Sequence, residues 1–362
     1  MKLPELKIGD LVAKIPIIQG GMGIGVSKSK LAGNVAKEGG VGIISTAQIG
    51  FDEPDFETNT LEANLRSLEK HIKEAKKISN GNGIVGINIM SVTNFYKENV
   101  KKAIDSGIDL IISGAGLPKE LPKLVEGTKV KIAPIISSAR GAALMIKMWA
   151  KQNHIPDMIV VEGPEAGGHL GFSKEELDKK EKNIYEIVKE VVEKVKEFEE
   201  EFKKKIPVIA AGGIFNGKDI VEALKSGASG VQIATRFVAT NECDAHEKFK
   251  EAYINSSKED IEIVQSPVGM PGRAIRNKFI VEVEKNKANN VKGIKSKCLA
   301  CIKTCNPIET PYCITRALIN AVTGNIDNGL VFVGSNAYKI NKITTVKELM
   351  NELVTEAEEC YI

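Results

Sequence analysis

Eight short apolar runs, each nearly unbroken, recur between Pro16 and Phe237 and leave this chain few folds to choose from. They are "PIIQGG" from Pro16, "VGIIST" from Val41, "IVGINIM" from Ile84, "DLIISGAG" from Asp109, "KIAPIIS" from Lys131, "MIVVEGP" from Met158, "PVIAAGG" from Pro207 and "GVQIATRF" from Gly230. Strands that face water on one side alternate apolar with polar residues, whereas parallel strands buried on both faces read as continuous Val/Ile/Leu stretches. Between the runs lie segments with helical spacing. Ile184, Ile187, Val188, Val191, Val195 and Phe198 form one apolar stripe amid lysine and glutamate, the pattern of a surface helix packed on a core. In "GIFNGKDIVEAL", Asn216 followed by Asp219 reads as a helix start with a capping pair. Eight alternating units predict an α/β chain folded as a (β/α)8 TIM barrel rather than an open doubly wound sheet.

After Phe237 the alternation stops. Residues 1–240 are expected to form the barrel and residues 241–362 a smaller, mainly helical lobe. In that lobe "SPVGMPGRAI" reads as loop and "TTVKELMNELVTEAEE" as a closing helix. The 362 residues accommodate both parts, since such barrels take about 200–250 residues. A net charge of +3, with lysines and acids interspersed, gives no electrostatic case for nucleic acid or an anionic membrane. No apolar run approaches the roughly 20 residues of a membrane span. The N-terminal "MKLPELKIGDLVAKIPIIQGG" lacks the apolar core of a signal peptide. A cytoplasmic protein with reduced thiols is expected.

Active sites of such barrels form at the carboxyl ends of the strands. Glycines crowd the ends of runs one, four, six and seven, as a large flat ligand lying across the barrel mouth requires. The seventh and eighth runs end in "AAGG" and "ATR", where these barrels bind phosphate. Backbone N–H groups of Gly212, Gly213, Ala234 and Thr235 can cradle it, with the following helix dipole and the Thr235 hydroxyl adding to them. Neither a G-x-x-x-x-G-K-[ST] loop nor a G-x-G-x-x-G opening a helix is present. Flavin mononucleotide (FMN) fits this layout: phosphate over the last two strands, ring over the glycine-lined centre. Asn88 and Gln232 are either partners of the ring's polar edge or buried amides. In "VVEGPEAGGHLGF", from Val160, a glycine pair precedes His169, which places an acid or base at the edge of a ligand lying on backbone. Glu162 and Glu165 flank the same loop, and His71, His154 and His246 read as surface or local structure.

Together "IPIIQGGMGIGVS", "LAGNVAKEGGVGIIS", "GINIM", "EGPEAGGHLG", "PVIAAGGI" and "VQIATRF" resemble the nitronate monooxygenase family, also called 2-nitropropane dioxygenases. The same superfamily includes the flavin-dependent enoyl-acyl-carrier-protein reductases. The resemblance is strong over about residues 10–240 and weak beyond. It implies an FMN-dependent oxidation of alkyl nitronates by dioxygen, with His169 matching the catalytic histidine of the "GGH" motif. It also implies that Gly21, Met22, Asn88, Gly167, Gly168, Gly212, Gly213, Gln232, Ala234 and Thr235 line the FMN site. Ala234 departs from the pattern, standing where a glycine is expected; its methyl group leaves the backbone donor in place. His169 could stabilise nitronate charge when protonated or act as a general base when neutral. The same histidine would serve an NAD(P)H-dependent enoyl-thioester reductase. A flavin/thiol redox sensor without turnover is a third reading.

That third reading rests on "CLACIKTCNPIETPYC", which holds four of the six cysteines: Cys298, Cys301, Cys305 and Cys313. The spacing C-x2-C-x3-C-x7-C is dense enough for zinc or an iron–sulfur cluster, yet matches neither the usual zinc-finger pattern nor the ferredoxin run. Free thiols packed in the small lobe are the alternative.

Overall fold

The computed structural model describes residues 2–361 apart from 180, 292 and 295, and its centre is a closed barrel of eight parallel strands. In chain order the strands are β1 (Leu6–Ile8), β2 (Leu11–Ala13), β3 (Ile17–Gln19), β4 (Val41–Ser45), β5 (Ile84–Met90), β6 (Leu110–Gly114), β7 (Lys131–Ile136), β8 (Ile159–Glu162), β9 (Gly168–His169), β10 (Val208–Ala211), β11 (Gly230–Ile233), β12 (Ile261–Gln265) and β13 (Pro271–Ile275). The barrel runs β3-β4-β5-β6-β7-β8-β10-β11 and closes where β11 pairs with β3. These strands are the eight apolar runs, and their two-sided burial explains why the runs are unbroken. Ile17, Ile44, Val85, Ile111, Val161 and Val231 belong to the core shared with the helices. Ile18, Ile43, Ile84, Ile112, Val160 and Ile209 fill the barrel interior. Successive side chains point to opposite faces, so both sets must be apolar. The antiparallel hairpin of β1 and β2, which the periodicity did not announce, adds Leu6, Ile8 and Ala13 to the interior. Asp10 in its turn pairs with Lys131, the first residue of β7, at 2.6 Å, so the hairpin closes the amino-terminal end.

The helices are α1 (Ser29–Lys37), α2 (Thr60–Ser79), α3 (Tyr96–Asp105), α4 (Leu121–Leu124), α5 (Ala139–Ala150), α6 (Lys174–Lys179), α7 (Ile184–Phe202), α8 (Gly217–Lys225), α9 (Thr235–Val238), α10 (Glu247–Ile254), α11 (Lys278–Ala288), α12 (Ile314–Val322) and α13 (Val346–Cys360). The predicted stripe of α7 is buried along its whole length. Asn216 and Asp219 form the expected capping box on α8: the Asp219 N–H donates to Asn216 Oδ1 at 3.0 Å and the Asn216 N–H to Asp219 Oδ2 at 3.2 Å. After β11, however, the local helix α9 is a single turn. The vacant place in the outer layer is taken by α13, which packs on both α8 and α1 and buries Val346, Leu349, Met350, Leu353 and Ala357 completely. Arg236 of α9 pairs with Glu352 of α13 at 2.7 Å.

Between α9 and α13 the chain makes the β12–β13 hairpin among its helices, to which β9 adds a third strand. "SPVGMPGRAI" is only partly the expected loop: Ser266–Met270 turn, and Pro271–Ile275 form β13, antiparallel to β12. The Gly/Pro content marked the turn correctly but hid the strand. Pro271 stands at the first strand position, where proline is tolerated, and Gly272 lies against the Phe332 ring, which a Cβ would approach to 2.8 Å. On its other edge β13 pairs with β9, opposing Gly272 to His169 and Arg273 to Gly168. Among the described residues no helix is long and apolar enough to cross a membrane.

The packing of α13 makes it part of the barrel core. Leu353→Ala should lower the unfolding free energy by about 2–5 kcal/mol in urea titrations, with barrel and helix still melting in one transition; a loss under about 1 kcal/mol would mean the helix is a loose appendage.

Candidate active site

The carboxyl ends of the barrel strands and the chain between α9 and α13 enclose a cleft of about 360 Å³. His169 and every residue assigned from the sequence to the flavin site line it, whereas the four clustered cysteines line a separate cavity. Gly21 and Met22 follow β3, Asn88 lies in β5 and Gln232 in β11. Gly212 and Gly213 follow β10, and Ala234 and Thr235 follow β11. Gly167, Gly168 and His169 form the loop and short strand beyond β8. Gly21 is needed for proximity, since a Cβ there would overlap that of Asn88.

The glycine pair before His169 has two separate reasons. A Cβ on Gly167 would stand 2.6 Å from the Val333 carbonyl carbon and 2.7 Å from the Gly334 nitrogen, so that position is closed by backbone. Gly168 has open space beside it but a φ of +70°, a conformation costly for other residues. Beyond them, pairing of β9 with β13 presents His169 to the cleft. Its Nε2 lies 2.7 Å from Ser266 Oγ, and the Phe332 ring meets it edge-on at 5.0 Å between centroids. The Tyr253 hydroxyl donates to the Phe332 carbonyl at 2.5 Å and so fixes that neighbour. Burial lowers the His169 pKa to about 4. The neutral imidazole is therefore the form expected near neutral pH.

Glu162, the last residue of β8, also lines the cleft, and burial raises its pKa to about 7 even though the Gly171 N–H opposes the shift. Desolvation disfavours whichever form is charged, so one environment moves the two groups in opposite directions, each toward neutrality. Among the described lining residues there is neither lysine nor arginine.

The expected phosphate position therefore offers backbone and hydroxyl groups rather than cations. Gly212 and Gly213 have φ of +89° and +88°. The single turn of α9 is too short for a large dipole, so the donors themselves must carry the effect expected of it. Opposite them the segment Gly334–Asn336 crosses over: Asn336 Nδ2 donates to the Gly213 carbonyl at 2.8 Å, and the Ser335 N–H donates to the Glu165 carbonyl at 3.2 Å. The Ser335 hydroxyl is buried without a hydrogen-bond partner and lines the same cleft. An orphaned hydroxyl beside positive-φ glycines fits a bound phosphate.

Ser266, Phe332, Ser335 and Asn336 escaped the sequence reading because each reaches the site from the chain beyond residue 240. The one available cue was "LVFVGSN", an apolar run ending in small polar residues as the barrel strands do. Arg273 was missed as well; its Nη1 donates to the Ala166 carbonyl and braces the loop before the glycine pair. The other histidines are structural. His71 is local structure, buried with its Nδ1 2.9 Å from Ser29 Oγ, and the His246 Nδ1 accepts the Lys248 N–H at 3.1 Å to cap α10. His154 lies 3.4 Å from Asp157. All six cysteines are free thiols, and among the described residues no three His, Cys, Asp or Glu side chains gather as ligands of one metal ion.

A profile of the nitronate monooxygenase family matches residues 5–356. The chain belongs to that family. It is 28% identical over 301 residues to a probable nitronate monooxygenase of Staphylococcus saprophyticus, covering 77% of this chain and 81% of the relative. It is 23% identical over 368 residues to a Rhodococcus jostii protein named (3aS,4S,5R,7aS)-5-hydroxy-7a-methyl-1-oxo-octahydro-1H-indene-4-carboxyl-CoA dehydrogenase, covering 94% and 92%. Among solved structures it resembles FabK from Thermotoga maritima, with 25% identity, a TM-score of 0.71 and coverage of 96% and 93%. The family member described here is a flavin-dependent oxidoreductase.

Glu162 gives the site a measurable signature. Its ordinary pKa of 4.5 governs the unfolded chain and about 7 the folded one, so the folded state binds more protons between those values and Glu162 costs stability as pH rises across that window. Relative to the unliganded parent, Glu162→Gln should gain on the order of 2–3 kcal/mol from the bottom to the top of the window and hold that difference at higher pH. Chemical denaturation across pH tests this, and a difference that stays flat would place the carboxyl in contact with water.

Proposed function

We propose that this protein binds FMN and oxidises alkyl nitronates with dioxygen. The observation that carries the reading is His169, held by Ser266 and Phe332 in a glycine-walled cleft that also holds positive-φ glycines and an unpartnered Ser335 hydroxyl. In this reading Gly212, Gly213, Ala234, Thr235 and Ser335 hold the phosphate. Gly21, Met22, Asn88, Gly167, Gly168 and Gln232 lie along the ring. A bound flavin supplies the redox chemistry, taking electrons from substrate and passing them to dioxygen. The polypeptide binds and orients. With Nε2 engaged by Ser266, His169 has Nδ1 left to hydrogen-bond a nitronate oxygen or to accept a proton from a neutral nitroalkane. Phe332 and Tyr253 keep water from that end of the cleft. Residues 1–240 serve as the cofactor barrel and residues 241–362 as the substrate and cysteine-bearing lobe, the last helix returning to the barrel wall. Six free thiols suit a reducing compartment such as the cytoplasm.

The likeness to FabK over nearly the whole chain favours a second reading, reduction of an enoyl thioester by NAD(P)H. Anaerobic stopped-flow absorbance separates the two. Saturable bleaching of the flavin band by an alkyl nitronate, with none by NADH or NADPH, is expected; rapid bleaching by either nucleotide would transfer the assignment to the reductase. A protein that takes up no FMN would overturn both.

His169→Asn should retain FMN while lowering turnover by about 10²–10⁴-fold, the range for removal of a positioned acid–base group. Flavin loss with unchanged turnover per bound flavin would make His169 a structural residue.

A further inference from the structure

The four clustered cysteines take no part in the cleft. Cys298, Cys301, Cys305 and Cys313 line a cavity of their own, about 270 Å³, together with apolar Leu299, Ile302 and Ile314. Between α11 and α12, the described residues form no helix and only the isolated bridge from Ile302 to Thr93. A long irregular stretch inside a packed unit is uncommon and is usually either functional or a linker.

The local backbone is arranged around sulfur. Ala300 turns the chain between Cys298 and Cys301 with a φ of +48°, unusual for a residue with a Cβ. Its N–H donates to Cys298 Sγ at 3.3 Å. Cys301 lies within electrostatic reach of Cys305 and Cys313, and Arg316 within reach of Cys313. The Arg316 Nε is buried with no hydrogen-bond partner. The Arg316 Nη atoms are held by Glu57 at 2.9 Å, and the Ala300 amide that donates to Cys298 Sγ makes the kind of hydrogen bond that anionic thiolate ligands use.

A single zinc ion would draw all its thiolates to within about 2.3 Å of one point, and no such group exists among the described residues. A four-iron cluster instead places each cysteine on a different iron, so its ligands belong on the separate walls of one cavity. We propose that Cys298, Cys301, Cys305 and Cys313 hold a four-iron, four-sulfide cluster. A preassembled cluster enters by ligand exchange: each thiol releases its proton, each sulfur forms one bond to one iron as a carrier ligand departs, and no oxidation state changes.

Such a cluster fastens the segment to the cleft wall. The Asn94 N–H donates to the Cys301 carbonyl at 3.1 Å, and the Lys303 N–H donates to the Val92 carbonyl at 3.0 Å. Thr93 lines the flavin cleft while Asn94 lines the cysteine cavity, so neighbouring residues serve the two sites. Cluster binding then becomes folding energy for that wall. The assignment does not depend on which substrate the cleft takes.

The test is metal analysis of the full-length protein purified anaerobically and, in parallel, reconstituted with ferric iron, a thiol reductant and sulfide. FMN is quantified separately. The expected result is about four iron and four labile sulfide per chain, with the Mössbauer spectrum of a cubane cluster. Cys301→Ala and Cys305→Ala should lose the iron and keep FMN, whereas Cys360→Ser, at an exposed thiol outside the group, should keep both. In the parent protein, stripping the cluster should open residues 290–313 to protease while the barrel stays intact. Reconstituted parent protein holding no more iron than the Cys301→Ala/Cys305→Ala double variant would overturn the proposal, as would zinc bound without sulfide.

Discussion

Burial of every barrel strand on both faces is the constraint from which the rest of the structure follows. Inward residues such as Ile43 and Val160 fill the interior, and outward ones such as Ile44 and Val161 meet the helices, so the strand bodies have no room for polar chemistry. The β1–β2 hairpin occupies the amino-terminal end. Reactive groups are left to the carboxyl ends, where Asn88, Glu162 and Gln232 interrupt the apolar pattern. The outer layer adds a second demand. Because α9 is one turn long, the gap between α8 and α1 stays open until α13 fills it from the end of the chain. The intervening segment is tethered to the barrel at both ends, and that tether brings Tyr253, Met270, Phe332 and Ser335 into the cleft.

What the sequence made legible was what local pattern records. Unbroken apolar runs gave the strands, the stripe gave α7, and Asn216 with Asp219 gave the start of α8, since each depends on residues within a few positions of one another. Glycines at the strand ends located the cleft for the same reason. The pairing of His169 with Gly272 could not be read in this way: about a hundred residues separate the partners, and a two-residue strand has no periodicity. The Gly/Pro signal at residues 266–272 was correct about the turn and silent about the strand that starts inside it. His71 reads as surface or local structure, and the fold makes it the latter, facing α1 and reaching Ser29.

Charge state was the least legible property, because it depends on burial supplied by remote segments. His169 on its loop resembles any histidine that titrates near neutrality. Burial in the folded chain lowers its pKa to about 4, and Phe332 and Ser266, which pack against the ring, come from beyond residue 240. Glu162 is likewise an ordinary carboxylate in sequence and a group poised near neutrality in the folded cleft.

The same desolvation that shifts both groups toward neutrality bears on how the cleft can treat an anion. With no lysine or arginine among its described lining residues, it offers a ligand backbone N–H groups, hydroxyls and a neutral imidazole. In water such donors compete poorly with solvent. In an enclosed cleft their hydrogen bonds strengthen as the effective dielectric falls, and they are already oriented when charge appears. A cationic residue would hold an anionic substrate and its products alike. Under the proposed nitronate oxidation, neutral, preorganised donors would allow the charge to leave the substrate without stranding an unpaired cation in the protein.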